Sequence, residues 1–129
     1  MKKLIIHGLT AGVLSAIAGL IFLQIYNEAF GVDYSQIINA GAIIGSCIIG
    51  CLLMTIGYAA LLKFEKMHLR GWLNILIAVL SFASIIGPIG MSLPLDIEFP
   101  EMFPGLVVPM HFFPALAFFA IEPFFSSPT

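Results

Sequence analysis

The chain has 129 residues, of which 60% are hydrophobic and 9% charged, with a net charge of −2 and two cysteines. A soluble domain carries about 45–50% apolar and about 25% charged residues, so part of this chain's solvent must be lipid. Five Lys and Arg in all exclude the basic surface that nucleic acid requires, and Cys47 and Cys51, inside an apolar run, exclude a secreted disulfide framework.

A chain of this size predicts one domain. The apolar runs predict an all-α integral membrane fold. Four transmembrane helices, over residues 4–27, 36–63, 71–90 and 106–124, form a compact bundle within that single domain, 1–129. The first run follows Lys2 and Lys3 and reaches Tyr26. A charged start with Ala16-Ile17-Ala18 also fits a cleaved signal peptide, but the run continues to spanning length. A signal core has about 7–15 residues, whereas about 20 cross a bilayer.

Gly8, Gly12, Ser15 and Gly19 recur at helical spacing on one face. Small residues let a second helix approach closely in lipid. A polar break follows at Asn27, Glu28, Gly31, Asp33 and Ser35, with Ser35 the expected N-cap of the second helix. That helix carries Gly41 and Gly45 as a GxxxG, with Gly50 and Gly57 beyond. The expectation is a hairpin of helices one and two, packed glycine face to glycine face. Asn39 and Gln24, both near the outer end of that hairpin, are expected to bond each other.

The segment KFEKMHLR, residues 63–70, holds three of the five basic residues. Trp72 then suits an interfacial position at the start of helix three. Gly87-Pro88 should kink or end that helix, since proline lacks the N–H donor and clashes with the preceding turn. The connection and launch of helix four, Pro94 to Pro114, holds five prolines, three carboxylates and His111. Leu95, Ile97 and Phe99 alternate with Asp96 and Glu98, as a short extended piece lying apolar side down would. Pro109 is expected in the first turn of helix four, where a missing donor costs nothing, and Pro114 at a kink. The tail, SSPT, reads as frayed.

All five basic residues fall before helix one or between helices two and three. Basic residues mark the cytoplasmic side, so both termini are expected inside. The lysine-led start and the lack of a large soluble part in the sequence suit a bacterial inner (plasma) membrane, with an organelle membrane as the alternative.

Polar candidates are few. His111 is expected at the outer boundary of helix four and His7 near the inner face. Those opposite depths exclude a bis-histidyl haem within one chain. The carboxylates Asp96, Glu98 and Glu101, with Glu28 and Asp33 from the other outer loop, could line an acidic mouth beside His111. Oxygen ligands suit hard cations, and an added histidine would suit Zn²⁺ or Fe²⁺. The spacing matches no ligand motif, and acidity on the non-basic side explains these residues equally well, so no metal site is assigned. For His7 and His111 the plainer role is interhelical hydrogen bonding, and for Cys47 and Cys51 it is packing. Glu122 is expected to pair with Lys63 or Lys66.

Catalytic signatures such as GxSxG, HExxH and the P-loop are absent from the sequence, which points away from an enzyme. The leading expectation is a non-catalytic accessory or structural membrane subunit. Its partners are the lipid bilayer and either copies of itself or a larger membrane complex. The alternatives are a small transporter or channel with an acidic mouth near His111, and a membrane-embedded enzyme or lipid or quinone binder. The sequence specifies no cofactor.

Overall fold

Helix α1 (Lys2–Phe30) carries the first apolar run through 29 residues without a break. In this computed structural model, which describes residues 1–125, Asn27 and Glu28 do not stop the helix. Gln24 donates to Glu28 one turn later. Termination waits for Gly31, which adopts φ 64° and returns its N–H to the Asn27 carbonyl. That left-handed cap suits a residue without Cβ.

Helix α2 (Ala40–Lys63) begins later than Ser35. Its N-cap is Asn39, whose side chain accepts from the Ala42 N–H at 2.8 Å. Asn39 is thus spent on its own helix and Gln24 on Glu28, so the two do not bond each other. Ser35 instead donates its backbone N–H to Asp33. At the far end the Lys66 N–H reaches back to the Leu61 carbonyl at 2.8 Å. Glu65 takes the left-handed position, φ 54°, that glycine usually fills.

The third and fourth apolar stretches are each two helices. Helix α3 (Arg70–Ser84), preceded by a 3-10 turn at Met67–Leu69, is followed by the short α4 (Ile86–Gly90). Helix α5 (Phe103–Met110), preceded by a 3-10 turn at Pro100–Met102, is followed by α6 (Phe113–Phe125). Both breaks have one cause. Proline cannot donate to the carbonyl four residues earlier, and its ring collides with it. Pro88 removes the donor for Ser84, where α3 ends, and Pro114 removes it for Met110, where α5 ends. Helix four therefore starts earlier than predicted. Pro104 occupies its first turn, and Pro109 lies inside α5 rather than at its start.

Among the described residues, four helical stretches are long and apolar enough to cross a membrane: Lys2–Phe30, Ala40–Lys63, Met67–Gly90 and Pro100–Phe125. Helix α1 is the centre of the bundle, packed against α2 on one side and α6 on the other. Its buried residues are His7, Gly8, Ala11, Gly12, Ser15, Ala16 and Gly19. A Cβ on Gly12 would lie 3.1 Å from the Ile48 Cα, and one on Gly19 would lie 2.9 Å from Ile43 Cγ2. A Cβ on Gly8 would overlap Thr55. The missing side chains of α1 are what let α2 come this close.

The reverse does not hold, and the expected glycine-to-glycine contact is corrected here. Gly45 has open space around it, and the nearest group to a Cβ on Gly41 is the adjacent Asn39 side chain. Helix α2 presents Ile43, Cys47, Cys51 and Thr55 to the interior instead. Gly50 faces Pro114, 3.5 Å from a Cβ placed there. The hairpin is small residues against larger ones, with the second GxxxG turned outward.

The end of the bundle that holds the acidic loops is closed by its own small core. Val32, Tyr34, Phe103, Leu106 and Val107 are buried there, with Leu93, Ile97 and Met102 packed on them. The segment around Asp96 is a turn rather than an extended piece. Leu95 is fully exposed while Ile97 packs inward.

Candidate functional site

His111 is the polar side chain that the fold places most unusually. The break forced by Pro114 leaves it in the two-residue gap between α5 and α6. That gap lies half-way along the bundle, not at its outer boundary as the sequence suggests. His111 lines a crevice of about 300 Å³ with Gly19 of α1, with Ala42, Ser46 and Cys47 of α2, and with Met110. Pro114, also in its wall, separates it from a second cavity of about 440 Å³ between α2 and α3, which His111 lines as well. The first crevice runs from Ile38, just before α2, to Pro114.

The ring of His111 is oriented by its own helix. Nδ1 lies 2.8 Å from the Val107 carbonyl, which can only accept, so the Nδ1 proton is donated there. Among the described residues, Nε2 has no hydrogen-bond partner. The walls around it are mostly aliphatic. Ser46, in the wall, donates to the Ile43 carbonyl at 3.1 Å, and Cys51, outside the lining, donates to the Pro114 carbonyl at 3.6 Å.

The acidic residues do not join His111. Asp96, Glu98, Glu101, Glu28 and Asp33 are all exposed at the end of the bundle. The eight residues of α5 stand between Glu101 and His111, a rise of roughly 12 Å at 1.5 Å per residue. Among the described residues, no three His, Cys, Asp or Glu side chains converge to hold a metal ion. Asp33 is held in a local turn, where the Ser35 backbone N–H, then the Ser35 hydroxyl, keeps its carboxyl below the usual range. Glu28 accepts from Gln24.

That end is nevertheless built with care around two tyrosines. Tyr34 is fully buried and donates its hydroxyl to the Phe99 carbonyl at 2.6 Å. Tyr26 donates to the Met102 carbonyl at 2.7 Å. Phe99 has φ 52°, a strained conformation for a residue with a side chain. The Tyr34 bond and one from the Met102 N–H fix it. Burial pushes the Tyr34 phenol up, and the charges of Tyr26 and Glu101 act in the same direction.

The opposite end holds a polar cluster that sequence spacing did not assemble. Arg70, at the start of α3, pairs with Glu122 of α6 at 2.6 Å, so Glu122 meets Arg70 rather than Lys63 or Lys66. Tyr58 of α2 donates to Asn74 of α3 at 2.5 Å. His7 is buried and stacks on Phe118 and Phe125, with Nε2 2.8 Å from the Phe118 carbonyl. Of these residues, His7, Tyr58, Arg70, Glu122 and Phe125 line a cavity of about 310 Å³ together with Lys3 and Met67. The available signal was depth: each lies within two turns of the predicted basic face.

No family model, curated protein or solved structure matches this chain. Its own side chains therefore carry the functional reading. Two features stand out: the His111 crevice, and the bareness of α3. Among the described residues of α3, Ile77 alone is buried, while Trp72, Ile75, Leu76, Val79, Leu80 and Phe82 are more than half exposed.

Proposed function

We propose that this chain is an integral membrane protein of the bacterial inner (plasma) membrane with both termini in the cytoplasm. Within that membrane it serves as a non-catalytic accessory subunit that meets its partner through α3. The observation that carries the role is the contrast between α3 and α1. The central helix buries a full stripe of seven residues, whereas α3 has its polar ties to the bundle at its basic end, by Arg70–Glu122 and Tyr58–Asn74, and beyond them buries Ile77 alone. In lipid there is little hydrophobic force between helices, so a partner is held by packing against such a face. The orientation is supported by the position of Lys2, Lys3, Lys63, Lys66 and Arg70 at one end.

The test is a photo-crosslinking residue in place of Val79, followed by purification in mild detergent and mass spectrometry. A stoichiometric membrane protein caught at that position supports the role, and a crosslinked second copy identifies the partner as the chain itself. Crosslinks to lipid alone would remove it. A second reading is favoured by a separate observation: His111, whose Nε2 has no hydrogen-bond partner among the described residues, lines an apolar crevice. On that reading the crevice binds a lipid-soluble molecule, as the binder alternative from the sequence has it.

A further inference from the structure

We propose that the crevice at His111 selects a neutral, lipid-soluble alcohol or phenol, whose hydroxyl donates to His111 Nε2. This rests on the reading of the crevice as a ligand site.

Donors and acceptors decide which ligand the crevice accepts. The Val107 carbonyl, 2.8 Å from Nδ1, has no hydrogen to give, so the Nδ1 proton is committed to it. In the neutral ring, Nε2 is then a lone pair and acts only as an acceptor. The other polar groups of the wall complete the pattern. The Ser46 hydroxyl gives its proton to the Ile43 carbonyl, and the neighbouring Cys51 thiol gives its own to the Pro114 carbonyl. The thiol of Cys47 interacts with the Ser15 and Ser46 hydroxyls, and a thiol is a weak donor. The wall thus offers acceptors and spends its good donors internally. A ligand with a hydroxyl satisfies Nε2. A ligand of the same shape with only a carbonyl or ether oxygen leaves two acceptors facing each other in apolar surroundings, where unmade bonds are most costly.

Charge is addressed by the same wall. Among the described residues, no Lys, Arg, Asp or Glu lines the crevice, so an ionic headgroup would be stranded there without a counter-charge. The volume of about 300 Å³ is at the small end for ligand sites, which span about 300–1,000 Å³. That size suits a ring or short polar head, with any chain lying outward past Ala42 and Ile38.

The test compares 4-nonylphenol with its methyl ether, 4-nonylanisole. The two probes have nearly the same apolar bulk, and the ether lacks the donor. Saturable binding is measured to the full chain in lipid nanodiscs, with empty nanodiscs subtracted, and the ¹⁵N resonance of His111 Nε2 is followed during titration. The expected result is about tenfold tighter binding of the phenol, accompanied by movement of the Nε2 resonance. His111→Phe keeps a ring in place, removes the acceptor and is expected to bind both probes equally. Three results overturn the proposal. Equal affinities with an unmoved Nε2 resonance would leave a ligand site without hydroxyl selection. Absence of saturable binding by either probe would remove the ligand site itself. A phenol preference that persists in His111→Phe would place the hydroxyl elsewhere. The ¹⁵N measurement on the unaltered chain decides the matter even if the variant does not fold.

Discussion

Tyr34 shows how one side chain closes the acidic end. It is buried among Val32, Phe103, Leu106 and Val107, and its single proton goes to the Phe99 carbonyl. Removing the hydroxyl leaves that carbonyl with the Met102 N–H alone, at 3.0 Å, and removes one of the two bonds that hold the strained φ of Phe99. Tyr34→Phe is therefore expected to cost about 1 kcal/mol at neutral pH, read as a lower midpoint of unfolding in detergent. The pH dependence has a definite sign. The folded phenol titrates above its ordinary value, so the neutral form is the one the fold prefers. Its contribution is complete below about pH 10 and is lost as pH rises through the higher folded value. The stability gap between the unaltered chain and Tyr34→Phe should accordingly narrow as pH rises above about 10. A gap that stays constant over that range would assign the alkaline loss to another group.

Between helices, the decisive feature is that α1 supplies the close approach and α2 does not. Gly12→Leu must push side-chain atoms through the Ile48 backbone, 3.1 Å from the first carbon alone, and overpacking of this kind costs about 1–3 kcal/mol. Gly45→Leu meets open space and replaces a poor helix former with a good one. The expected outcome is a clear loss of thermal stability in detergent for the first variant and none for the second. Equal losses would mean that α2 is rotated so that Gly45 faces α1. The same level explains the two interruptions. Pro88 and Pro114 each end a helix at the carbonyl four residues earlier, and the second interruption is what carries His111 into the interior.

For the molecule as a whole, the prediction is topological. With native Cys47 and Cys51 replaced by Ala, a single cysteine at His68 should resist a membrane-impermeant maleimide in intact cells and react after lysis. One at Asp96 should react in both. Reaction at position 68 in intact cells would invert the proposed orientation. Both positions are exposed at opposite ends of the bundle, so accessibility within the protein does not confound the result.

How much of this was legible in the chain follows from the range of each interaction. Four spans, the proline breaks at 88 and 114 and the small-residue face of α1 follow from hydropathy, a missing N–H and helical spacing, all of which act within one or two turns. Ser35 as the cap failed for a local reason, because Asn39 stands next to the apolar run and offers the better-placed acceptor. The acidic mouth beside His111 failed for a distant one. Pro104 can open the first turn of a helix, so α5 starts near Glu101 and inserts two turns between the carboxylates and the histidine. The Arg70–Glu122 pair, the Tyr34–Phe99 bond and the crevice shared by Gly19 and His111 join residues 52, 65 and 92 positions apart, and which of them meet depends on the rotation of each helix about its axis. In a chain whose helices are apolar on nearly every side, hydropathy does not fix that rotation. Packing of α2 and α6 onto the small residues of α1 does, and with it the tertiary structure alone decides that His111 lines an apolar crevice.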